Sequence, residues 1–382
     1  MHPPPRLVYW ELTKRCNLRC AHCRAVPEAE ADPSELTTAE GFRLIDELAL
    51  IGRPLLVLTG GEPLLRDDLL VLANYARRRG LPSALATNGT LVTRAIARHI
   101  VSAGFTRVSI SLDCPDAETH DAFRRVAGAF DAAVDGFIHL KELGMSLQVN
   151  TTVTNHNRDR LEEIYELVRK LGAAAWHLFL LVPVGCGLEI GPSLQLTARD
   201  YEAVLWWIDE LAERETMEIR TICAPHIQRI RLQRQELQRG NGITGQRGTG
   251  GSPAIPLSHY PATYPVTPLP LYPSTPAVRR GCLAGSEICF VSHRGEVFPC
   301  GYLPFKAGDL RRQSFADVWA ASPVFADLRD PDRLMGKCGG CEYRIVCGGC
   351  RARAFGQTGH YLGEEPACLY LPQRISAAGA TR

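Results

Sequence analysis

From residue 7 to about residue 235 the chain alternates two hydrophobic patterns. Short apolar or β-branched runs at Leu7 to Leu12, Leu55 to Thr59, Ser83 to Thr87, Arg107 to Leu112, Leu147 to Val153 and Trp176 to Val182 predict strands. Between them, Thr38 to Leu50, Asp67 to Arg79, Thr93 to Ala103, Ala129 to Leu143 and Arg160 to Leu171 carry the spacing of amphipathic helices. Thr37 with Glu40 suits a capping box, and Gly52, Gly80, Gly104, Gly144 and Gly172 stand where the helices should stop. Six such repeats predict an α/β fold, a parallel sheet wrapped by helices and curved into a partial, TIM-like (βα)6 barrel. Functional groups then gather at the carboxyl ends of the strands.

The pattern breaks near residue 236. Residues 240 to 276 hold eight prolines and a Gly-rich start, so 236–277 reads as a linker or surface loop between a domain at 1–235 and another at 278–382. The second segment is irregular and Gly-rich, with few long apolar runs, and would need metal to supply much of its folding energy. It carries eight of the fourteen cysteines.

Composition changes the picture only through those cysteines. At 382 residues and net charge +2 the chain has no general field for nucleic acid or an anionic membrane surface. The first residues lack a signal-peptide layout, and no run of about 18 apolar residues occurs, so a cytoplasmic protein is expected. In a reducing compartment clustered cysteines point to metal or thiol chemistry before disulfides.

Cys16-x3-Cys20-x2-Cys23 directly follows the first strand. Three thiolates from one loop hold three irons of a four-iron cluster and leave the fourth open. A zinc site needs a fourth ligand, and His22, lying between two of the cysteines, would be strained in that role. Gly60-Gly61-Glu62-Pro63 follows the second strand, where glycines permit close backbone approach and a carboxylate accepts from an ammonium. Triplet and GGEP together resemble the radical S-adenosylmethionine (SAM) superfamily. The resemblance implies a SAM-binding 4Fe-4S cluster and reductive cleavage of SAM to a 5′-deoxyadenosyl radical. It further implies roles in the SAM pocket for Gly60, Gly61, Glu62, Pro63, Ser111 and Arg124. His22, where an aromatic residue is common, and Asn88, Asn150 and Val182 at later strand ends are weaker pocket candidates.

The later cysteines run Cys282, Cys289, Cys300, then Cys338-x2-Cys341-x5-Cys347-x2-Cys350, then Cys368. Alone, the paired Cys-x2-Cys units also fit zinc ribbons. Downstream of the triplet they resemble the SPASM auxiliary-cluster domain, although the last gap is two residues where three are usual. Carried over by position, that resemblance implies one 4Fe-4S cluster on Cys282, Cys289, Cys300 and Cys350, and another on Cys338, Cys341, Cys347 and Cys368. Cys114, Cys186 and Cys223 are left over. The first two are expected at the barrel mouth, as candidate hydrogen donors or as ordinary buried thiols. Arg229, Arg231 and Arg234 sit on a basic helix, to pair with substrate carboxylates or to face solvent.

Leu181-Val182-Pro183-Val184-Gly185, Cys223-Ala224-Pro225-His226 and Cys347-Gly348-Gly349-Cys350-Arg351-Ala352-Arg353-Ala354 look most like the haem-biosynthesis branch, whose members remove or decarboxylate tetrapyrrole side chains. Relatives commonly carry arginine where Cys186 stands. The alternative is a maturase that crosslinks or epimerises a ribosomal peptide, against which stands the short segment before the first strand. The resemblance implies a small-molecule or peptide substrate and a flavodoxin- or ferredoxin-type electron donor.

Overall fold

The computed structural model describes residues 2–240 and 280–372. Most of the Pro-rich stretch expected as a linker therefore lies outside the described residues. Seven parallel strands run in order, β1 (Leu7–Glu11), β2 (Leu55–Thr59), β3 (Ser83–Thr87), β4 (Arg107–Ser111), β5 (Leu147–Val153), β6 (Ala175–Leu180) and β7 (Glu218–Ile222). The helices between them are α1 (Thr38–Ile51), α2 (Leu69–Arg78), α3 (Arg94–Ala103), α4 (Ala117–Arg124), α5 (Ala129–Glu142), α6 (Leu161–Leu171), α7 (Gly187–Leu194) and α8 (Ala198–Arg214), with α9 (His226–Gly240) after β7.

The six expected strands form within two residues of their expected bounds. Thr37 and Glu40 close the capping box on α1. The strand missed is β7, which pairs in parallel with β6 and extends the sheet beyond the sixth repeat.

The carboxy-terminal segment also joins the sheet, on its other side. β8 (Ile288–Val291) runs parallel to β1, β9 (Glu296–Phe298) pairs antiparallel with β8 and β10 (Gly308–Asp309) antiparallel with β9, making one ten-stranded sheet. Beyond it lie the short helices α10 (Phe315–Ala321), α11 (Pro323–Arg329), α12 (Gly336–Gly339) and α13 (Arg351–Thr358).

Strand alternation sorts the side chains by face. Val8 and Trp10 of β1, with Cys289 and Val291 of β8, are fully buried in the core under the helices. Tyr9 and Glu11 point to the opposite, inner face. Among the described residues no helix is long and apolar enough to cross a membrane.

Glu11 binds the two halves of the sheet together. Its carboxylate is buried and accepts from Arg24 at 2.8 Å and from His293, in the β8–β9 turn, at 3.0 Å. The other ring nitrogen of His293 lies 3.2 Å from Asp32. Burial opposes the charge on Glu11, but Arg24 and then His293 outweigh it and hold the carboxyl down at about 2. Burial also opposes the charge on His293, and its two carboxylate partners outweigh that and raise it above 6.5.

The sign follows from linkage. The His293 contribution is complete below pH 6.5 and fades as pH rises through the higher folded value, whereas that of Glu11 is complete above 4.5 and is lost toward about 2. His293→Gln should therefore lower the melting temperature more at about pH 6 than at about pH 9, as thermal unfolding of the whole chain at both pH values will show.

Candidate functional site

The loop after β1 carries Cys16, Cys20 and Cys23 into the mouth of the sheet. Leu18 N–H donates to Cys16 Sγ at 3.4 Å, and Arg124 donates to Cys20 Sγ at 3.5 Å. Backbone bonds from Arg19 and Ala21 to the carbonyls of Arg124 and Phe123 lay the loop on the end of α4. Burial pushes the Cys16 thiol up to about 12 and raises Cys23.

The GGEP segment supports this loop from beneath. Gly61 N–H donates to Thr13 O at 2.7 Å and Glu62 N–H to Arg15 O at 2.8 Å. A Cβ on Gly61 would stand 2.4 Å from Arg15 O, and one on Gly60 2.6 Å from Thr13 O, so only glycine lets the strands' ends approach. Glu62 is fully buried and already accepts three hydrogen bonds, from Thr87 Oγ1 (2.7 Å), Asn88 N–H (2.8 Å) and Leu64 N–H (3.1 Å). Its two oxygens offer about four acceptor positions, so one remains. Burial raises its carboxyl to about 7, against those three donors. Pro63 is buried at the start of a short 3₁₀ turn. Asn88 reaches the cysteine loop itself, donating to Asn17 at 2.8 Å.

Above the loop sits Asp113, which the sequence reading passed over. It is buried, lies 2.6 Å from Arg124 and 3.6 Å from His22, and accepts from Thr152 N–H at 2.8 Å. His22 stacks on Phe123 at 4.3 Å, and burial lowers it to about 4, so it is neutral at pH 7. Ser111 at the end of β4 is the register partner of Asn150 in the middle of β5, and both are partly exposed.

Two further groups of thiols lie in the carboxy-terminal segment. Cys338, Cys341, Cys347 and Cys368 line one space of about 360 Å³ together with Arg229, Lys337, Tyr343 and His226. Cys282, Cys300 and Cys350 form the other, where burial and Cys350 raise Cys282 and burial pushes Cys300 up to about 12. Among the described residues no three His, Cys, Asp or Glu side chains converge as on a single ion.

The family model described as the radical SAM superfamily matches residues 10–168, and one described as an iron-sulfur cluster-binding domain, SPASM, matches 282–342. The AdoMet-dependent heme synthase of Methanosarcina barkeri is 44% identical over 96% of this chain and 97% of its own. The chain belongs to the radical SAM superfamily and carries a SPASM domain. Its relatives include enzymes of the haem branch, and mycofactocin maturases match at 29% identity over 96% of the chain. Pre-heme d1 synthase of Dinoroseobacter shibae is 32% identical over 99% of this chain and 91% of its own. Streptococcus suis SuiB bound to S-adenosylmethionine shares the fold, with a TM-score of 0.66 at 16% identity over 97% of this chain and 77% of its own.

This radical SAM enzyme uses 4Fe-4S clusters and SAM, and the donor sets suit them. All three groups are thiols, which iron-sulfur clusters require. Arg124 Nε is buried without a hydrogen-bond partner among the described residues, as an arginine kept for a carboxylate would be. Both ring nitrogens of the buried His226, at the wall of the 360 Å³ space, are likewise unpartnered.

Four expectations meet different surroundings. Cys289 does not join Cys282, Cys300 and Cys350, because as the register partner of Val8 it points to the helix side of the sheet. Its buried thiol is pushed up by that burial, which Arg329 moderates. Cys114 is buried beneath the start of α4 beside Thr119, not at the mouth. Val182 packs with Cys350, Leu303 and Ala352, in the seam between the domains. Arg229 pairs with Glu202, and Arg231 and Arg234 with Asp209, so the basic helix is spent on α8. Cys186 does reach the triplet loop, donating to Ala25 O at 3.4 Å.

Gly61→Ala must displace the chain leading into Cys16, while leaving both carboxy-terminal groups untouched. Iron analysis of the reconstituted variant should show about eight irons where the parent holds about twelve.

Proposed function

We propose that this enzyme makes haem by oxidative decarboxylation of the propionate side chains of an iron-coproporphyrin. The 44% identity to an AdoMet-dependent heme synthase across almost the whole of both chains carries the reading. When bound, the SAM-ligated cluster would supply a 5′-deoxyadenosyl radical able to take one hydrogen atom from a propionate, and loss of carbon dioxide would leave a vinyl group as one electron passes to an external electron acceptor.

The chain's own residues do the rest. Cys16, Cys20 and Cys23 anchor the SAM cluster, and Arg124 donates to Cys20 while Asp113 fixes its orientation. Hydrogen bonding to a cluster sulfur is one of the levers that set its potential. The free acceptor position of Glu62 suits the SAM ammonium, and the unpartnered Nε of Arg124 suits the SAM carboxylate. Neutral His22, held flat on Phe123, offers a ring face for adenine. Ser111 and its register partner Asn150 are further candidates for the pocket.

The test is anaerobic turnover with dithionite, SAM and iron-coproporphyrin, following haem by absorbance and 5′-deoxyadenosine by chromatography. Both products should form together. Replacing Cys16, Cys20 and Cys23 with Ala should abolish both and leave about eight irons. Deoxyadenosine formation that responds to a Cys- or Gly-rich peptide and not to the porphyrin would establish the maturase reading instead, and stoichiometric zinc without iron would overturn both.

A further inference from the structure

We propose that Cys223 supplies the fourth thiolate of the first auxiliary cluster, completing the set with Cys282, Cys300 and Cys350. The inference rests on the SPASM domain's iron-sulfur chemistry and not on the tetrapyrrole substrate.

Cys223 follows β7, far in sequence from the SPASM cysteines, yet its side chain packs against the same buried cluster as Cys350 and lies in the electrostatic reach of both Cys350 and Cys300. Cys223, Cys300 and Tyr302, each partly buried, pack against a buried cluster that contains Cys350 and Val182. Cys282 enters from the same side, since a Cβ on neighbouring Gly281 would meet Pro225 at 2.7 Å, two residues past Cys223. Four cysteines from four separate segments thus gather in one region.

The backbone at Cys223 gives an independent indication. Its φ is +59°, in the left-handed region where glycine is the inexpensive choice. A side chain kept there is strained and persists only where its surroundings enforce it. They do, for Cys223 O accepts from both Arg353 and Tyr201 at 3.1 Å. Arg353 is itself fully buried and also donates to Leu180 O, Leu181 O and Glu365. The left-handed turn swings the Cys223 thiol away from the path of β7 toward Cys350.

The strand pleat removes the competing cysteine. Moving Cys289 to the inner face would need a one-residue slip of β8 against β1, which would also expel Val291 from the core. With four thiolates the site has no open iron, so a substrate carboxylate has no place to ligate there.

The test starts from the full chain with Cys16, Cys20 and Cys23 replaced by Ala, so that only the auxiliary sites contribute. Adding Cys223→Ala should cost about one iron of about eight and produce a three-iron signal in electron paramagnetic resonance after mild oxidation. Adding Cys289→Ala should change neither reading. A Cys223→Ala spectrum matching its parent, or a three-iron signal from Cys289→Ala, overturns the assignment.

A second measurement needs no substitution at these positions. In the unaltered holoenzyme, iodoacetamide should label Cys223 only after iron is chelated, as read by peptide mass spectrometry. Equal labelling with and without iron overturns the proposal. Because no readout involves turnover, an enzyme that ignores porphyrin but gives these spectra would refute the proposed substrate and leave the ligand standing.

Discussion

One buried carboxylate holds two parts of the active architecture at once. Glu11 ends β1 and is paired with Arg24, which directly follows Cys23, and with His293, from the turn that joins the SPASM strands. A buried charge stripped of both partners would be left uncompensated, a cost of roughly 3–5 kcal/mol. The position of the cysteine loop and the docking of the carboxy-terminal segment are therefore not independent. Arg24 carries the linkage further, since its guanidinium lies 4.4 Å over the Phe290 ring and its stem passes beside Gly301, next to Cys300. A single side chain spans from the SAM-cluster loop to the first auxiliary site.

The sheet itself is an open arc, and its two sides meet at that auxiliary site. Cys223 leaves the end of β7, while Cys282 and Cys300 flank β8 and β9 on the other side of β1. Tyr9 of β1 lies in electrostatic contact with both Cys223 and Cys300, which places all three on the inner face. A cluster held by these thiols would join the rims of the arc as a disulfide joins a loop, and would couple metal content to barrel shape.

The sequence made the local part of this legible and hid the non-local part. Period-two and helical patterns, the Thr37 capping box and the punctuating glycines depend on neighbours a few residues away, and they placed the first six strands. β7, Glu218–Ile222, is short and follows a long helix, so nothing nearby marks it. The pairing of β8 with β1 spans some 280 positions, and with it the fate of Cys289 was decided by a register that no spacing rule contains. Glu62 was found as a motif residue, but its three donors come from β3 and its own turn, contacts visible only once the strands are side by side. Asp113 carries no motif at all and becomes notable only through Arg124 and His22.

The near-neutral net charge conceals a local rule. Each thiol site has a buried arginine braced by a buried carboxylate, and the site of Cys338 has Arg351 as well, which donates to Cys338 Sγ at 3.9 Å and otherwise to backbone carbonyls. Arg124 faces Cys20 and is paired with Asp113. Arg353 faces Cys223 and Cys350 and is paired with Glu365. Arg229 faces Cys347 and Cys368 and is paired with Glu202. A bare cation at that depth would be prohibitive, and a bare cluster of thiolates equally so, but the pairing leaves each guanidinium with donors to spare. Arginine suits the task where lysine does not, because its planar fork serves a carboxylate on one edge and sulfur or backbone on the other while staying charged. The carboxylate then does more than neutralise. It fixes which edge of the guanidinium faces the sulfur, and so fixes the local field that the sulfur and any bound iron experience.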